Sequence, residues 1–229
     1  MICLGIDTSG SRVRVAVTRD HEALGARTTP DAKTHSETLL VALSESLEEA
    51  GVSLGSVELI AVGRGPGAWT GLRVGITTAK SLAYALGVPL VGVSGLDAIA
   101  AGVTGYEGKL AVIVDARRNE VCGARFTVDG RGGIEIEGGI FVAAPEDLDR
   151  FISTDRVLVG NGVPLLADRD RSRWRALPEA FGRPDAVTVC RLGLMRYLQD
   201  GPDRTEEVVP IYVRKSDAEI GLEKKEGSS

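Results

Sequence analysis

The sequence holds little from which a metal or redox centre could be built. Of its 229 residues only two are histidines, His21 and His35, and three are cysteines, Cys3, Cys122 and Cys190, all far apart. No His-x-x-x-His and no Cys-x-x-Cys occurs. A transition-metal site needs several such ligands close together, so no metal site is expected. An odd number of scattered thiols makes no disulfide frame and reads as reduced core thiols of a cytoplasmic protein. Charge of one sign is also lacking. Lys and Arg number 27 against 32 Asp and Glu, a net charge of −5, and residues 1–103 carry 8 basic and 10 acidic side chains. Autonomous nucleic-acid binding draws on a basic surplus, and neither half has one. Apolar runs are too short to span a bilayer, so no membrane association is expected. The first residues have no basic start and reach Asp7 early, unlike a signal peptide. What is present is 43% hydrophobic and 26% charged residues, enough for an ordered core in one large or two small domains.

Periodicity sets out the elements. Ile2 to Asp7 is a short apolar run ending in an acid. Residues 12–17 alternate, with Val13, Val15 and Val17 on one side, and residues 21–28 read as a third strand, so the chain opens with an antiparallel meander. A helix over 34–50 follows, with Thr34 and Glu37 as a capping box, Asp31 adding negative charge before it, and Leu39, Leu40, Leu43, Leu47 and Ala50 at helical spacing up to Gly51. Val57 to Val62 is a strand, Gly63 to Gly67 a loop, and Thr70 the N-cap of a helix that Gly87 and Pro89 close at Leu86. Leu90 to Val93 is the next strand. The order is βββαβαβα. A second unit starts near Lys109, with strands over 110–115, 121–128, 134–142 (broken at Gly138-Gly139) and 157–159, a short helix from Pro145, and a helical segment over 184–199. Three glycines over 102–108 suit a hinge. The expected division is 1–103, 104–218, and a polar flexible tail over 219–229.

Several segments could meet an anion. Asp7, Thr8 and Ser9 end a strand in a tight turn, which suits either a magnesium-bound phosphate or a hairpin satisfying its own backbone. Strand, glycine loop and helix start at 63–71, with Gly65, Gly67 and Thr70, make a generic anion cradle that Arg64 and Arg73 could reinforce. The Gly-Lys-Ser/Thr of a P-loop and the Rossmann spacing are both absent, so cradle and tight turn remain equal readings. Asp115 to Glu120 is either a second acidic turn facing a cleft or a charged hairpin. Arg169, Arg171, Arg173 and Arg175 offer phosphate contact or a solvated loop. No Ser-His-Asp arrangement has supporting context, and no catalytic residue is assigned.

The helix after the glycine loop carries a bare stripe: Gly71, Gly75, Ala79 and Ala83 recur every four residues and share one ridge. Val74, Thr78, Leu82 and Leu86 are then expected to face the core. A glycine inside a helix costs about 1 kcal/mol relative to Ala, so something must approach the stripe closely. A neighbour in the same chain and a helix of another chain fit equally well.

The segments Ile6-Asp7-Thr8-Ser9, Gly63 through Gly75, Val91 to Ser94, Asp115-Ala116-Arg117 and Pro210 to Arg214 resemble the bacterial TsaB (YeaZ) family, in order and over nearly the whole chain. The resemblance implies a two-domain actin-like architecture of the ASKHA, RNase H-like class. It implies a role in forming N6-threonylcarbamoyladenosine beside the anticodon of tRNAs that read codons starting with A. The transfer chemistry belongs in that family to a paralogue, TsaD, and an ATPase, TsaE, joins the complex. In the catalytic relatives a His-x-x-x-His motif follows the strand ending near Ser94; the matching positions here are Gly95 and Ile99, which hold no metal. The expected function is therefore a non-catalytic scaffold that binds TsaD, with a homodimer when TsaD is absent. tRNA is expected to be reached only through the complex. No cofactor is required, and a nucleotide, ATP or ADP, at the subunit interface is left open. The resemblance places the contact on the helices over 34–50 and 70–86, at Ser36, Leu39, Leu40, Leu43, Leu72, Gly75, Ile76, Ala79, Lys80 and Ala83. On that reading Ala79→Arg abolishes association and leaves the monomer folded. The alternative is a free-standing ATPase or small-molecule kinase of the same fold, with magnesium on Asp7.

Overall fold

A computed structural model describes residues 1–30, 35–167 and 172–213. The first lobe runs β1 (Ile2–Asp7), β2 (Arg14–Arg19), β3 (Glu22–Thr28), α1 (His35–Ala50), β4 (Leu59–Gly63), α2 (Trp69–Leu86), β5 (Leu90–Val93) and α3 (Gly95–Gly102), the βββαβαβα order expected. Its sheet has the order β3-β2-β1-β4-β5. β1 is antiparallel to β2 and parallel to β4, which is parallel to β5. β1 lies in the middle, and all six of its residues are buried. This is why it reads as a continuous apolar run: helices cover both faces of the sheet.

The second lobe repeats the plan. β6 (Glu107–Arg117), β7 (Glu120–Asp129), β8 (Ile134–Ala143), β9 (Val157–Val159) and β10 (Arg175–Ala176) form a sheet of order β10-β9-β6-β7-β8. From the β8 end this is again an antiparallel meander whose first strand, β6, pairs in parallel with β9, itself parallel to β10. The hairpin after β1 and the hairpin after β6 thus hold equivalent places.

Packing fixes the layers. Leu39, Ala42 and Leu43 of α1 and Ile76, Ala79 and Ala83 of α2 meet Leu4, Ile6, Val15, Val17, Ile60 and Val62 on one face of the first sheet. The final helix, α4 (Ala186–Asp200), covers the other face, with Ala186, Val189 and Cys190 against Cys3, Ala16, Ala61 and Val91. α3 turns the other way, so that Leu96, Ile99 and Val103 join Leu110, Val112 and Phe126 of the second sheet. The strands divide near residue 103, but α4 and the segment after it return to the first lobe, where Val208 is fully buried. Among the described residues of 104–218, those of α4 and Val208 therefore pack with the first lobe.

Four local expectations change. The stripe Gly71, Gly75, Ala79 and Ala83 is the buried face of α2, together with Leu72 and Ile76, whereas Val74, Thr78, Leu82 and Leu86 are half-buried at its flanks. Thr70 is not the N-cap: Ala68 holds that place with no side-chain cap bond, and Thr70 sits exposed in the first turn. β8 runs through Gly138-Gly139, the irregularity falling as a register shift between Gly123 and Arg125 on β7. Pro145 opens a 3-10 turn, Pro145–Arg150, and not an α-helix. The capping box at Thr34 with Asp31, Arg169 and Arg171, and the tail over 219–229 lie outside the described residues. Among the described residues no helix is long and apolar enough to cross a membrane.

The start of α4 is well capped. The Asp185 carboxylate accepts from the backbone N–H of Val187 (2.9 Å) and of Thr188 (3.2 Å) and from the Thr188 hydroxyl. Asp185→Ala should cost about 1 kcal/mol and lower Tm by about 2–4 °C for a chain of this size, read by thermal unfolding.

Candidate functional site

The two lobes leave between them a cleft of about 850 Å³. Both equivalent hairpins open onto it. The first contributes Ser9, Gly10, Ser11 and Arg14, and the second Asp115, Ala116, Arg117 and Arg118. Gly95 and Ile99 on α3 line the same space, one helical turn apart.

Asp7 does not face this cleft. Its carboxylate is fully buried. One oxygen accepts from the Ser9 hydroxyl (2.9 Å) and backbone N–H (3.3 Å), and lies 3.9 Å from Nη1 of Arg14. The other oxygen, without a hydrogen-bond partner among the described residues, sits where a side chain on Gly63 would begin: a Cβ there would lie 2.2 Å from it. Burial pushes the Asp7 carboxyl up, against the pull of Arg14 and Ser9, and the same burial pushes the Arg14 guanidinium down, against the pull of Asp7. In the second hairpin Asp115 pairs with Arg117 at 3.3 Å, accepts from the Arg117 N–H at 2.7 Å, and donates its own N–H to Asn161 at 3.1 Å. Each acidic hairpin therefore carries its own arginine beside its carboxylate.

The glycine loop is a packing device. A Cβ on Gly67 would lie 2.2 Å from the Ser9 carbonyl oxygen, and the Ala68 N–H donates to that oxygen at 2.8 Å. Thr8 is buried and donates its hydroxyl to the Gly71 carbonyl at 2.7 Å. A Cβ on Gly75 would lie 2.1 Å from that hydroxyl oxygen. Gly65, also buried, accepts from the Gly95 N–H at 2.7 Å. The close neighbour of the bare stripe is thus the Thr8–Ser9 turn of the same chain. Of the anion candidates Asp7, Thr8, Ser9, Gly65, Gly67 and Thr70, only Ser9 and Gly67 line the cleft. Arg64 and Arg73 are spent on the segment after α4. Arg64 donates from Nε to the Val209 carbonyl at 2.8 Å. Arg73 lies over Trp69 and donates to the Tyr212 hydroxyl at 3.3 Å, while Trp69 and Tyr212 stack at 3.9 Å. Arg173 pairs with Asp149 at 3.2 Å. Sequence reasoning missed Arg14 and Arg183, and it singled out the segment from Pro210 without placing it against Arg64, Trp69 and Arg73. Only the pairing register Asp7–Arg14 across β1 and β2 could have disclosed Arg14.

The second candidate surface is the outside of α1 and α2. Of the ten contact residues the resemblance implied, Leu39, Leu43, Leu72, Gly75, Ile76, Ala79 and Ala83 are buried inside the chain. Their apolar periodicity reflects this chain's own core. Ser36 and Leu40 are exposed and Lys80 is half-buried. The outer faces carry other apolar side chains: Leu40 is 62% exposed, Val41 57% and Tyr84 90%.

Two sheets of identical strand order, facing each other across a cleft, define an α/β protein of the actin-like ASKHA class. The family model described as "TsaD: tRNA N6-adenosine threonylcarbamoyltransferase" matches residues 27–156. The Mycobacterium tuberculosis protein Rv3421c is 33% identical over 218 residues, 94% of this chain and 92% of its own length. The chain spans 56% of a longer Mycobacterium leprae relative, ML0378, at 32% identity over 221 residues. The Escherichia coli tRNA threonylcarbamoyladenosine biosynthesis protein TsaB is 28% identical over 222 residues, 94% of this chain and 96% of its own. The structure of YeaZ from Pseudomonas aeruginosa superposes with a TM-score of 0.79 at 28% identity, covering 93% of this chain and 99% of that one. The chain belongs to the TsaB (YeaZ) family.

Proposed function

We propose that this protein is a non-catalytic subunit in the synthesis of N6-threonylcarbamoyladenosine on tRNA, and that it works by holding a TsaD-type catalytic partner against the outer faces of α1 and α2. The observation that carries the reading is the exposure of Leu40, Val41 and Tyr84 on two neighbouring helices. Leu40 and Val41 are consecutive on α1 and Tyr84 stands on α2, and exposed apolar surface of this kind marks an interaction site where it is contiguous. The named TsaB relatives supply the pathway, and the match to a TsaD family model supplies the kind of partner.

The cleft argues for the same division of labour. A magnesium-dependent ATPase of this fold needs carboxylates open to a metal ion, and here Asp7 is buried beside Arg14 while Asp115 is paired with Arg117. Gly95 and Ile99 offer no ligand atoms at the place where the resemblance puts a metal. A TsaE-type ATPase joins the complex, a second copy takes the same face when the partner is absent, and tRNA is met through the assembled complex in the cytoplasm. The test is size-exclusion of the purified chain mixed with a TsaD-type protein. A stable heterodimer at micromolar concentration is expected, and separate elution would overturn the reading.

A further inference from the structure

The plan that the two lobes share has no place for residues 203–213, which follow α4. The first part of this strap has a plain structural task. β5 is the edge of the first sheet, and a free edge needs cover. The Asp203 N–H donates to the Leu90 carbonyl at 3.0 Å, and its carboxylate accepts from the Gly92 N–H at 2.7 Å and from Arg196 at 3.0 Å. Val208 then fills the first core. Edge cover ends there. The next residues leave β5 and cross the glycine loop into the cleft, where Ile211, Tyr212 and Val213 form part of the lining.

The crossing is held at each step. Arg64 accepts the Ile211 N–H on its carbonyl and donates from Nε to the Val209 carbonyl, both at 2.8 Å. Gly92 leaves room for that arginine, since a Cβ there would lie 2.3 Å from its Cδ. Tyr212 stacks on Trp69, and Arg73 lies 4.4 Å from the centre of the same ring while donating to the Tyr212 hydroxyl. One residue on, Val213 packs against the cluster that Leu96 and Ile99 of α3 share with Val112 and Phe126 of the second sheet. The strap therefore has its anchor in one lobe and its end against the packing of the other. Away from the cleft the lobes are already joined. The chain passes between them at 103–106, and Arg191 of α4 donates to the Ala101 carbonyl at 2.8 Å, with its guanidinium where a Cβ on Gly132 would begin. Gly132 follows β7, whose ten residues separate it from the hairpin at the cleft, about 30 Å of strand. A hinge at that end gives the hairpin a long arm, so a small contact at the mouth controls the opening.

We propose that residues 209–213 form a clasp that holds the two lobes together across the mouth of the cleft, with the Arg73–Trp69–Tyr212 sandwich as its lock. Released, the clasp lets the second lobe swing about the 103–106 crossing. The clasp is independent of the partner-binding reading, since it is a contact within one chain and is tested on the isolated protein.

The test joins two measurements on that chain. Double electron–electron resonance reads the distance between labels at Ser44→Cys in α1 and Ala176→Cys in β10, both exposed positions, with the native thiols buried. Acrylamide quenching reads the lock, because the chain has two tryptophans and Trp174 is only 6% exposed. Tyr212→Ala should make Trp69 quenchable and lengthen the mean label distance by more than about 2 Å, the scale of a domain rearrangement. Tyr212→Phe keeps the ring and should keep both parental readings. Val213→Asp removes the apolar contact with the second lobe and spares the lock, so the distance should lengthen with Trp69 still protected. If Tyr212→Ala does not fold, Arg73→Met loosens the lock from α2 and should move both readings in the same direction. The proposal is overturned if Trp69 becomes quenchable while the label distance stays parental, for then the strap only covers the first lobe. It is equally overturned if Val213→Asp leaves the distance unchanged, or if the parent already shows the distances of the released variants.

Discussion

The double variant Leu40→Asp with Tyr84→Asp should weaken assembly with a TsaD-type partner by at least about 100-fold, with the monomer still folded. An apolar anchor at the centre of an interface is worth about 2 kcal/mol or more, roughly 30-fold in Kd. Replacing it by a carboxylate adds the cost of desolvating a charge that has no partner. Both positions are exposed in the isolated chain, so each substitution should cost only about 0.5 kcal/mol, with about 0.3–1 kcal/mol more for a carboxylate at position 84 in the last turn of α2. The two measurements therefore separate cleanly: Kd by titration calorimetry, Tm by thermal unfolding. If, as proposed, a second copy takes the partner's face, the same variant should also lose self-association. Unchanged Kd with unchanged Tm would move the interface elsewhere on the molecule. Ser36 and Lys80, at the edges of the same faces, should show smaller effects, since rim positions mainly exclude water.

Much of the fold was legible because burial leaves periodic marks. The three opening strands, α1, α2 and β5 lie within two residues of their expected bounds, and Gly87, at φ +68°, ends α2 as its composition required. The stripe on α2 misled for a physical reason. Small residues on a helix report that something comes close but not what comes close. Leu72 and Ile76 beside them read equally well as an interface or as a core. The approaching group was the Thr8–Ser9 turn, whose Thr8 hydroxyl donates to the Gly71 carbonyl 63 residues away along the chain. No local pattern encodes such a contact. The arginine at position 14 was invisible for a similar reason: in sequence it is one polar residue in an alternating strand, and only the pairing with β1 puts it beside Asp7. Likewise α4 reads as part of a second lobe, and only its buried contacts with Cys3, Ala16 and Ala61 return it to the first.

The packing of α2 on the other face of the first sheet reverses what Ala79→Arg should do. From sequence alone the substitution looked like a clean probe of association. In the structure Ala79 is completely buried between α2 and the first sheet, among Leu4, Ile6 and Leu39. A guanidinium there has no acceptor and no room. Burying an unpaired charge costs several kcal/mol, and overpacking adds about 1–3 kcal/mol. Against a total stability of about 5–15 kcal/mol, the expected outcome is loss of the folded first lobe, not a folded monomer that fails to assemble. Gly75→Val should act in the same direction through a different contact, because its Cβ would begin 2.1 Å from the Thr8 hydroxyl oxygen. Thr8 cannot retreat: it is buried, and its hydroxyl is engaged with the Gly71 carbonyl. Circular dichroism and thermal unfolding decide the matter. Native-like melting of Ala79→Arg would mean that the stripe faces outward after all, and that the interior of the first lobe is filled by the Val74, Thr78 and Leu82 side of α2.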